Sequence, residues 1–251
     1  MSCQEQERRE EMGGLHGFFY ENRRRQRILA YFHRSYEHTP IQALADLSAA
    51  APGHKDGPLW LKAMECYADY LKETLVEPYD LLPSAIYEVG NTDYSKIYHE
   101  GDRSVGQPTL EEYNAQVRNG KKLSESYYLR TFPVAYQFRG FHATLLSKAR
   151  AAAILSKVLG DERLQYIASR QGEWVLGMNP YASSTIYGEG YDFVNLYGAF
   201  LGDVVGAVPV GIETFENLDL PYLPMQSNAT YKEVWVHSAA RLMWLIAELN
   251  A

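Results

Sequence analysis

Two glycine-containing stretches in the last third of the chain could form turns at which the backbone approaches a ligand. They are Leu176-Gly177-Met178-Asn179-Pro180 and, after a short polar run, Ser184-Thr185-Ile186-Tyr187-Gly188-Glu189-Gly190. Glycine lets a loop follow paths closed to other residues, so the backbone can approach a ligand closely. A structural turn uses glycine for the same reason. The glycines alone leave both interpretations open.

A second candidate group recurs every four residues near the carboxyl end of the chain. Glu233, His237 and Arg241 would lie along one face of a helix. Such a stripe can be a salt-bridged surface. The positive charges of His237 and Arg241 and a position near the start of a helix both favour the ionised form of Glu233. An apolar cleft would instead favour the proton-bearing acid. His142 lies in an apolar helical pattern, which favours a buried core or inner-face histidine over a ligand.

These motifs resemble glycoside hydrolase family 9, the inverting, cellulase-like branch of the six-hairpin glycosidases. Ser184, Ile186, Gly188 and Gly190 match in order the family's segment that crosses the active face. The run 231–234, Tyr-Lys-Glu-Val, stands where the family has an Asn-Glu-Val element whose glutamate is the general acid. The resemblance covers residues 127–251 best and implies hydrolysis of a β-linked glycan.

The resemblance also implies roles for single residues. Glu233 would be the general acid, and Tyr187, Tyr191, Tyr231 and His237 would contact the sugar. An inverting enzyme also needs a carboxylate base, with the two carboxyl groups roughly 6.5–9.5 Å apart. The family's Asp-Ala-Gly-Asp element, which supplies that base, is absent from the 251 residues. We therefore expect the base outside this chain, from a missing amino-terminal segment or another subunit of a homo-oligomer, so that the isolated chain can be inactive.

Several positions depart from the family pattern. Pro224, Ala229 and Ala239 replace an Asp, an aromatic residue and an Asn, and no His-x-Arg pair follows Gly190 before Asn228. The sugar subsites must therefore differ from those of the family. Loop carboxylates that could substitute for the base are Glu88, Asp93, Glu100, Asp102, Asp192 and Asp203.

Composition limits the other possibilities. A net charge of -7 and a pI near 5.5 argue against nucleic acid or an anionic membrane as a partner. Aromatic residues make up 13% of the chain and include 20 tyrosines, which suits the stacking of sugar rings as well as core packing. No residue spacing indicates a metal or a cofactor, so we expect neither. The hydrophilic start is unlike a signal peptide, which makes a cytoplasmic protein the default expectation.

The elements that must position these residues read as helices. Helical periodicity, caps and breakers predict helices at about 39–51, 58–76, 133–159, 161–176 and 230–249. Irregular stretches at 77–130 and 177–228 would be long loops on an active face. We therefore predict one all-α domain over residues 1–251, an incomplete (α/α)6-type toroid that corresponds to the carboxyl-terminal part of the glycosidase domain. A solenoid or a bundle is the alternative arrangement.

Two other functions stay open. A non-catalytic α/α fragment could bind carbohydrate or serve a structural role without the acid and base pair. An unrelated α/α enzyme, such as an epimerase or lyase, would need a His or Tyr proton-transfer pair and would survive Glu233→Gln.

Overall fold

A computed structural model describes residues 3–20, 22–25, 28, 36–91, 109–134, 140–197, 202–216, 218–223 and 229–251. The helices in these ranges are α1 (His38–Ala50), α2 (Gly57–Thr74), α3 (Leu110–Arg118), α4 (His142–Leu159), α5 (Glu162–Val175), α6 (Ala229–Lys232) and α7 (Val236–Asn250). The strands are β1 (Cys3–Gln4), β2 (Phe19–Tyr20), β3 (Ala85–Glu88), β4 (Lys121–Lys122), β5 (Tyr127–Arg130), β6 (Glu213–Thr214) and β7 (Pro221–Tyr222). No helix in these ranges is long and apolar enough to span a bilayer.

Helix α4 is the centre of the helical part and packs against α1, α2, α5 and α7. Its small residues Ala149, Ala151, Ala152 and Ala153 are almost completely buried. Small side chains let neighbouring helices approach closely from several directions. The alanine-rich sequence of α4 thus allows four helices to share one core.

The turn between α4 and α5 confirms the prediction of a tight helical hairpin. Gly160 ends α4 in the left-handed conformation, with φ 65°. Asp161 then caps α5, because its carboxylate accepts hydrogen bonds from the backbone amides of Arg163 and Leu164. Helices α1 and α2 also lie within two residues of their predicted bounds.

The prediction of an all-α, incomplete (α/α)6 toroid is wrong. The described residues combine helices with three small antiparallel sheets, β1–β2, β3–β5–β4 and β6–β7. The central sheet lies inside the stretch 77–130 that was expected to be irregular, with Ala85 opposite Arg130 and Glu88 opposite Tyr127. Strands this short carry little periodic signal, and their partners are about 40 residues apart in the sequence.

The expected last helix is also broken in two. Helix α6 ends at Lys232 and α7 begins only at Val236, so Glu233 lies between them. The intervening chain is extended, and Val234 forms an antiparallel bridge with Pro209. Valine and tryptophan suit extended backbone, so pairing with a neighbouring segment can interrupt the helix here.

Candidate functional site

The first glycine motif forms the turn that leaves α5. The side-chain amide of Asn179 donates through Nδ2 to Trp174 O at 2.9 Å and to Ser183 O at 3.0 Å. Its carbonyl oxygen accepts from Tyr181 N at 3.1 Å. Thr185 Oγ1 then donates to Val175 O at 2.8 Å, which ties the returning chain to the end of the helix. Asn179 is therefore a turn-forming residue, in agreement with the structural interpretation of this motif.

The second motif joins this turn to residues 204–207. Gly188 and Gly190 have φ angles of 75° and 92°. The backbone of Tyr187 exchanges hydrogen bonds with residues 206 and 207, at 2.9 and 3.2 Å. A side chain at Gly188 would press on Val205, with its Cβ 3.0 Å from Val205 Cγ2. Gly188 thus allows the two segments to cross closely, and Gly190 allows the loop to fold back against Ser184.

Two of the predicted sugar contacts, Tyr187 and Tyr191, belong to this crossing loop. The ring of Tyr187 packs edge-on against Phe193, with centroids 5.2 Å apart. Burial and a hydrogen bond to Asp203 raise the pKa of Tyr187. Tyr191 is fully exposed to solvent. Backbone hydrogen bonds join this loop to residues 206 and 207, and residues 210 and 211 are in turn bonded to the segment of Glu233.

The backbone around Glu233 pairs with residues 209–211. Val210 N donates to Glu233 O at 2.9 Å, and Gly211 N donates to Tyr231 O at 2.8 Å. Because Glu233 lies outside the helix, the predicted stripe of Glu233, His237 and Arg241 on one helical face is wrong. Only His237 and Arg241 share α7. A short β-like pairing, and not a helix start, holds the candidate acid.

The side chain of Glu233 accepts a hydrogen bond from an indole. Trp235 Nε1 donates to Glu233 Oε2 at 2.6 Å, and the carboxylate is half-buried. The Trp235 ring lies 6.0 Å from the ring of His237. Tyr231, two residues on the other side, packs edge-on against Tyr222 at 5.5 Å. The structure thus gathers Tyr231 and His237, both predicted sugar contacts, on the short segment that carries Glu233.

Trp235 is the residue that the sequence interpretation missed. In extended backbone, side chains two residues apart point to the same face, so Glu233 and Trp235 meet. In the expected helix they would point in different directions. The signal was present in the Glu-Val-Trp spacing, but it becomes informative only once the segment is known to be extended.

Residues 209–212, which include those that pair with the segment of Glu233, are bonded on their other side to the N-terminus of α4. Phe141 N donates to Ile212 O and His142 N donates to Val210 O, both at 3.1 Å. The His142 ring is completely buried, and its Nδ1 lies 3.2 Å from Pro209 O. A carbonyl accepts a hydrogen bond, so Nδ1 carries the proton. Burial lowers the pKa of His142 to about 4. The expectation of a core histidine is confirmed.

The close approach at His142 depends on two glycines. A Cβ on Gly140 would overlap the carbonyl oxygens of Val210 and Gly211, and a Cβ on Gly211 would overlap the His142 ring. Gly211 also has a φ of 99°, which other residues rarely adopt. Residues 209–212 therefore form a layer between α4 and the strand-like segment of Glu233. We call this arrangement the 209–212 layer.

The candidate bases in the described residues have different surroundings. Glu88 accepts a hydrogen bond from the Tyr127 hydroxyl at 3.1 Å, and Asp203 is bonded to Tyr187. Asp192 is exposed, and Asp93, Glu100 and Asp102 lie outside the described residues. Within the described part of the chain, no group of three or more His, Cys, Asp or Glu residues could hold a metal ion.

No protein-family model matches the chain, and no curated protein matches it.

Proposed function

We propose that this chain contributes to the hydrolysis of O-glycosidic bonds in a β-linked glycan, with Glu233 as the general acid. The observation that carries the proposal is the Glu233 carboxylate, half-buried and bonded to the Trp235 indole at 2.6 Å. Aromatic rings next to a carboxyl group suit a sugar, because its apolar faces stack on rings while its oxygen receives the proton. The resemblance of residues 184–190 and 231–234 to family 9 points to the same chemistry.

The hydrogen bond assigns different roles to the two oxygens of Glu233. Trp235 has an indole N–H that can only donate, so Glu233 Oε2 serves as its acceptor. The proton of the neutral acid then resides on Oε1, which donates it to the glycosidic oxygen as the bond to the anomeric carbon breaks. Water attacks that carbon from the opposite face and releases its proton to a second carboxylate. The Asp-Ala-Gly-Asp element that supplies this base in family 9 is absent from the 251 residues, so we propose that the base comes from outside this chain.

Leaving-group dependence tests the role of Glu233. A general acid typically contributes about 10²–10⁴-fold to the rate. In an assembly that also supplies the base, Glu233→Gln should therefore reduce release of reducing ends from β-glucan by that factor. An aryl β-glycoside whose phenol leaves without protonation should lose far less. Trp235→Phe keeps the ring but removes the N–H that stabilises the carboxylate formed as Glu233 gives up its proton. It should cost about 10–100-fold, the loss expected for one hydrogen bond to a charged group. Equal losses of Glu233→Gln on both substrates would contradict the role of general acid.

A non-catalytic carbohydrate-binding protein is the alternative. It is favoured by the purely structural role of Asn179. Calorimetric titration of the purified chain with soluble β-glucan measures binding, and it separates a binding protein from a hydrolase when release of reducing ends is assayed beside it. Binding with no release of reducing ends, in the presence of any base-supplying subunit, would establish the binding protein.

A further inference from the structure

The hairpin of β6 and β7 presents apolar side chains to solvent. Phe215 is 38% exposed, and Leu218 and Leu220 are exposed to a similar extent. The turn itself is closed by Phe215 N donating to Leu220 O at 2.8 Å and by Leu218 N donating to Phe215 O at 3.0 Å. Exposed apolar side chains that lie together on a surface are typical of interaction and ligand-binding sites.

A series of aromatic rings connects this hairpin with the segment of Glu233. Phe215 packs edge-on against Tyr222 with centroids 5.2 Å apart. Tyr222 in turn packs edge-on against Tyr231 at 5.5 Å. Tyr231 is two residues before Glu233 in the chain, and its carbonyl is held by Gly211 N. We call Phe215, Tyr222 and Tyr231 the aromatic track.

The hairpin is anchored by a buried polar cluster. The Asp219 carboxylate accepts hydrogen bonds from Thr131 N and Phe132 N, both at 2.9 Å. Arg130 is completely buried and donates to Leu218 O at 3.2 Å. The hydroxyl of Thr214 donates to Pro133 O. Four contacts to residues 130–133 thus fix the backbone of the hairpin that carries the exposed Phe215 ring, which reduces the entropy cost of binding.

We infer that the aromatic track is a subsite for a glycan chain and positions it for cleavage at Glu233. The inference rests on the proposed function and adds to it a preference for long substrates over short ones. A glycan fits this surface because pyranose rings offer apolar C–H faces to aromatic rings, while the hydroxyl of Tyr222 can hydrogen-bond to a sugar hydroxyl. Sugar units that lie along the track are remote from the bond being cleaved, so they contribute binding energy and take no part in the chemistry.

Glycan binding in a Glu233→Gln background tests the subsite without turnover. Phe215→Ala should weaken the binding of a long soluble β-glucan about three- to tenfold, the loss expected for one aromatic contact. Binding of a β-linked disaccharide should change less than twofold. Phe215→Trp should restore the polymer affinity, because it replaces the aromatic surface. Tyr166→Ala is the matched control, since Tyr166 is an exposed aromatic residue on α5 that packs against Arg163.

The outcomes separate the subsite from the proposed function. If Phe215→Ala binds the polymer as tightly as its parent while Tyr231→Ala does not, the hairpin is not a subsite although the site near Glu233 stands. If the parent binds neither glycan, the proposed function and the subsite both fail. If Phe215→Ala leaves glycan affinity unchanged but lowers the oligomer mass in sedimentation equilibrium, the exposed hairpin is a contact between copies of the chain and the inference is overturned.

Discussion

Replacement of Gly211 by alanine tests whether the 209–212 layer is as tightly packed as its contacts imply. The added methyl group would overlap Cγ, Cδ2 and Nδ1 of the His142 ring. The residue would also keep a φ of 99°, which is unfavourable for any L-amino acid. His142 is completely buried on α4, the most central helix, so its ring can move only at the expense of the core.

The two costs can be assigned separate magnitudes. Left-handed backbone costs roughly 1–2 kcal/mol for a residue other than glycine. Overpacking of a buried site costs typically about 1–3 kcal/mol. We therefore expect Gly211→Ala to lower the free energy of unfolding by about 2–5 kcal/mol. For a chain of this size that corresponds to a decrease in Tm of roughly 5–15 °C.

Gly206 provides a matched control. It has a φ of 83°, close to that of Gly211, but no atom lies within 4 Å of the position that its Cβ would take. Gly206→Ala should therefore cost only the backbone part, about 1–2 kcal/mol. The difference between the two variants isolates the steric overlap with His142.

The free energy of unfolding is measured by urea denaturation for Gly211→Ala and Gly206→Ala. The same measurement on His142→Ala and on the double variant His142→Ala/Gly211→Ala completes a double-mutant cycle. Removal of the ring leaves space for the new methyl group, so the double variant should lose at least about 1 kcal/mol less than the sum of the two single losses. The reasoning is refuted if Gly211→Ala costs no more than Gly206→Ala, or if the losses of the double variant simply add. Either result would mean that the layer can shift away from α4 without a penalty.

Two further predictions concern the supports of the site. The pKa of His142 is lowered to about 4 in the folded chain from 6.5, so its contribution to stability is complete above pH 6.5 and is lost as the pH falls to 4. His142→Gln should therefore flatten the stability profile over this window, by at most about 3 kcal/mol between urea midpoints measured at pH 7 and pH 4. An unchanged slope would show that folding does not lower the pKa of the His142 ring. Asp219→Ala removes two hydrogen bonds to backbone amides and should cost about 2–4 kcal/mol, with faster chymotrypsin cleavage at Phe215. Asp219→Asn keeps an acceptor and should lose less; equal losses for Ala and Asn would contradict the anchoring role.

Local chemistry explains which parts of the fold the sequence predicts. Helices α1, α2, α4 and α5 depend on periodic apolar positions and on caps that lie next to them in the chain, such as Gly160 and Asp161. The predicted start of α4 at about residue 133 is wrong, since the helix begins at His142. Periodicity is less reliable for the burial of single residues. Leu59 is seven residues before Cys66 and shares the helical face of Cys66, Tyr67 and Tyr70, yet it is 67% exposed while those three are buried. Periodicity thus identifies the face but not how far along the helix that face is covered.

The candidate site shows what only the tertiary structure decided. From the sequence alone, Glu233 is a carboxylate near a helix start, and Tyr231 and His237 are its neighbours. Pairing with residues 209–211 interrupts the helix and turns the side chain of Trp235 towards Glu233. That pairing is held by α4 through His142 and Gly211, residues separated by almost 70 positions in the chain. Helical signals arise within a few residues, whereas strand pairing and side-chain contacts across the core depend on which distant segments the fold brings together.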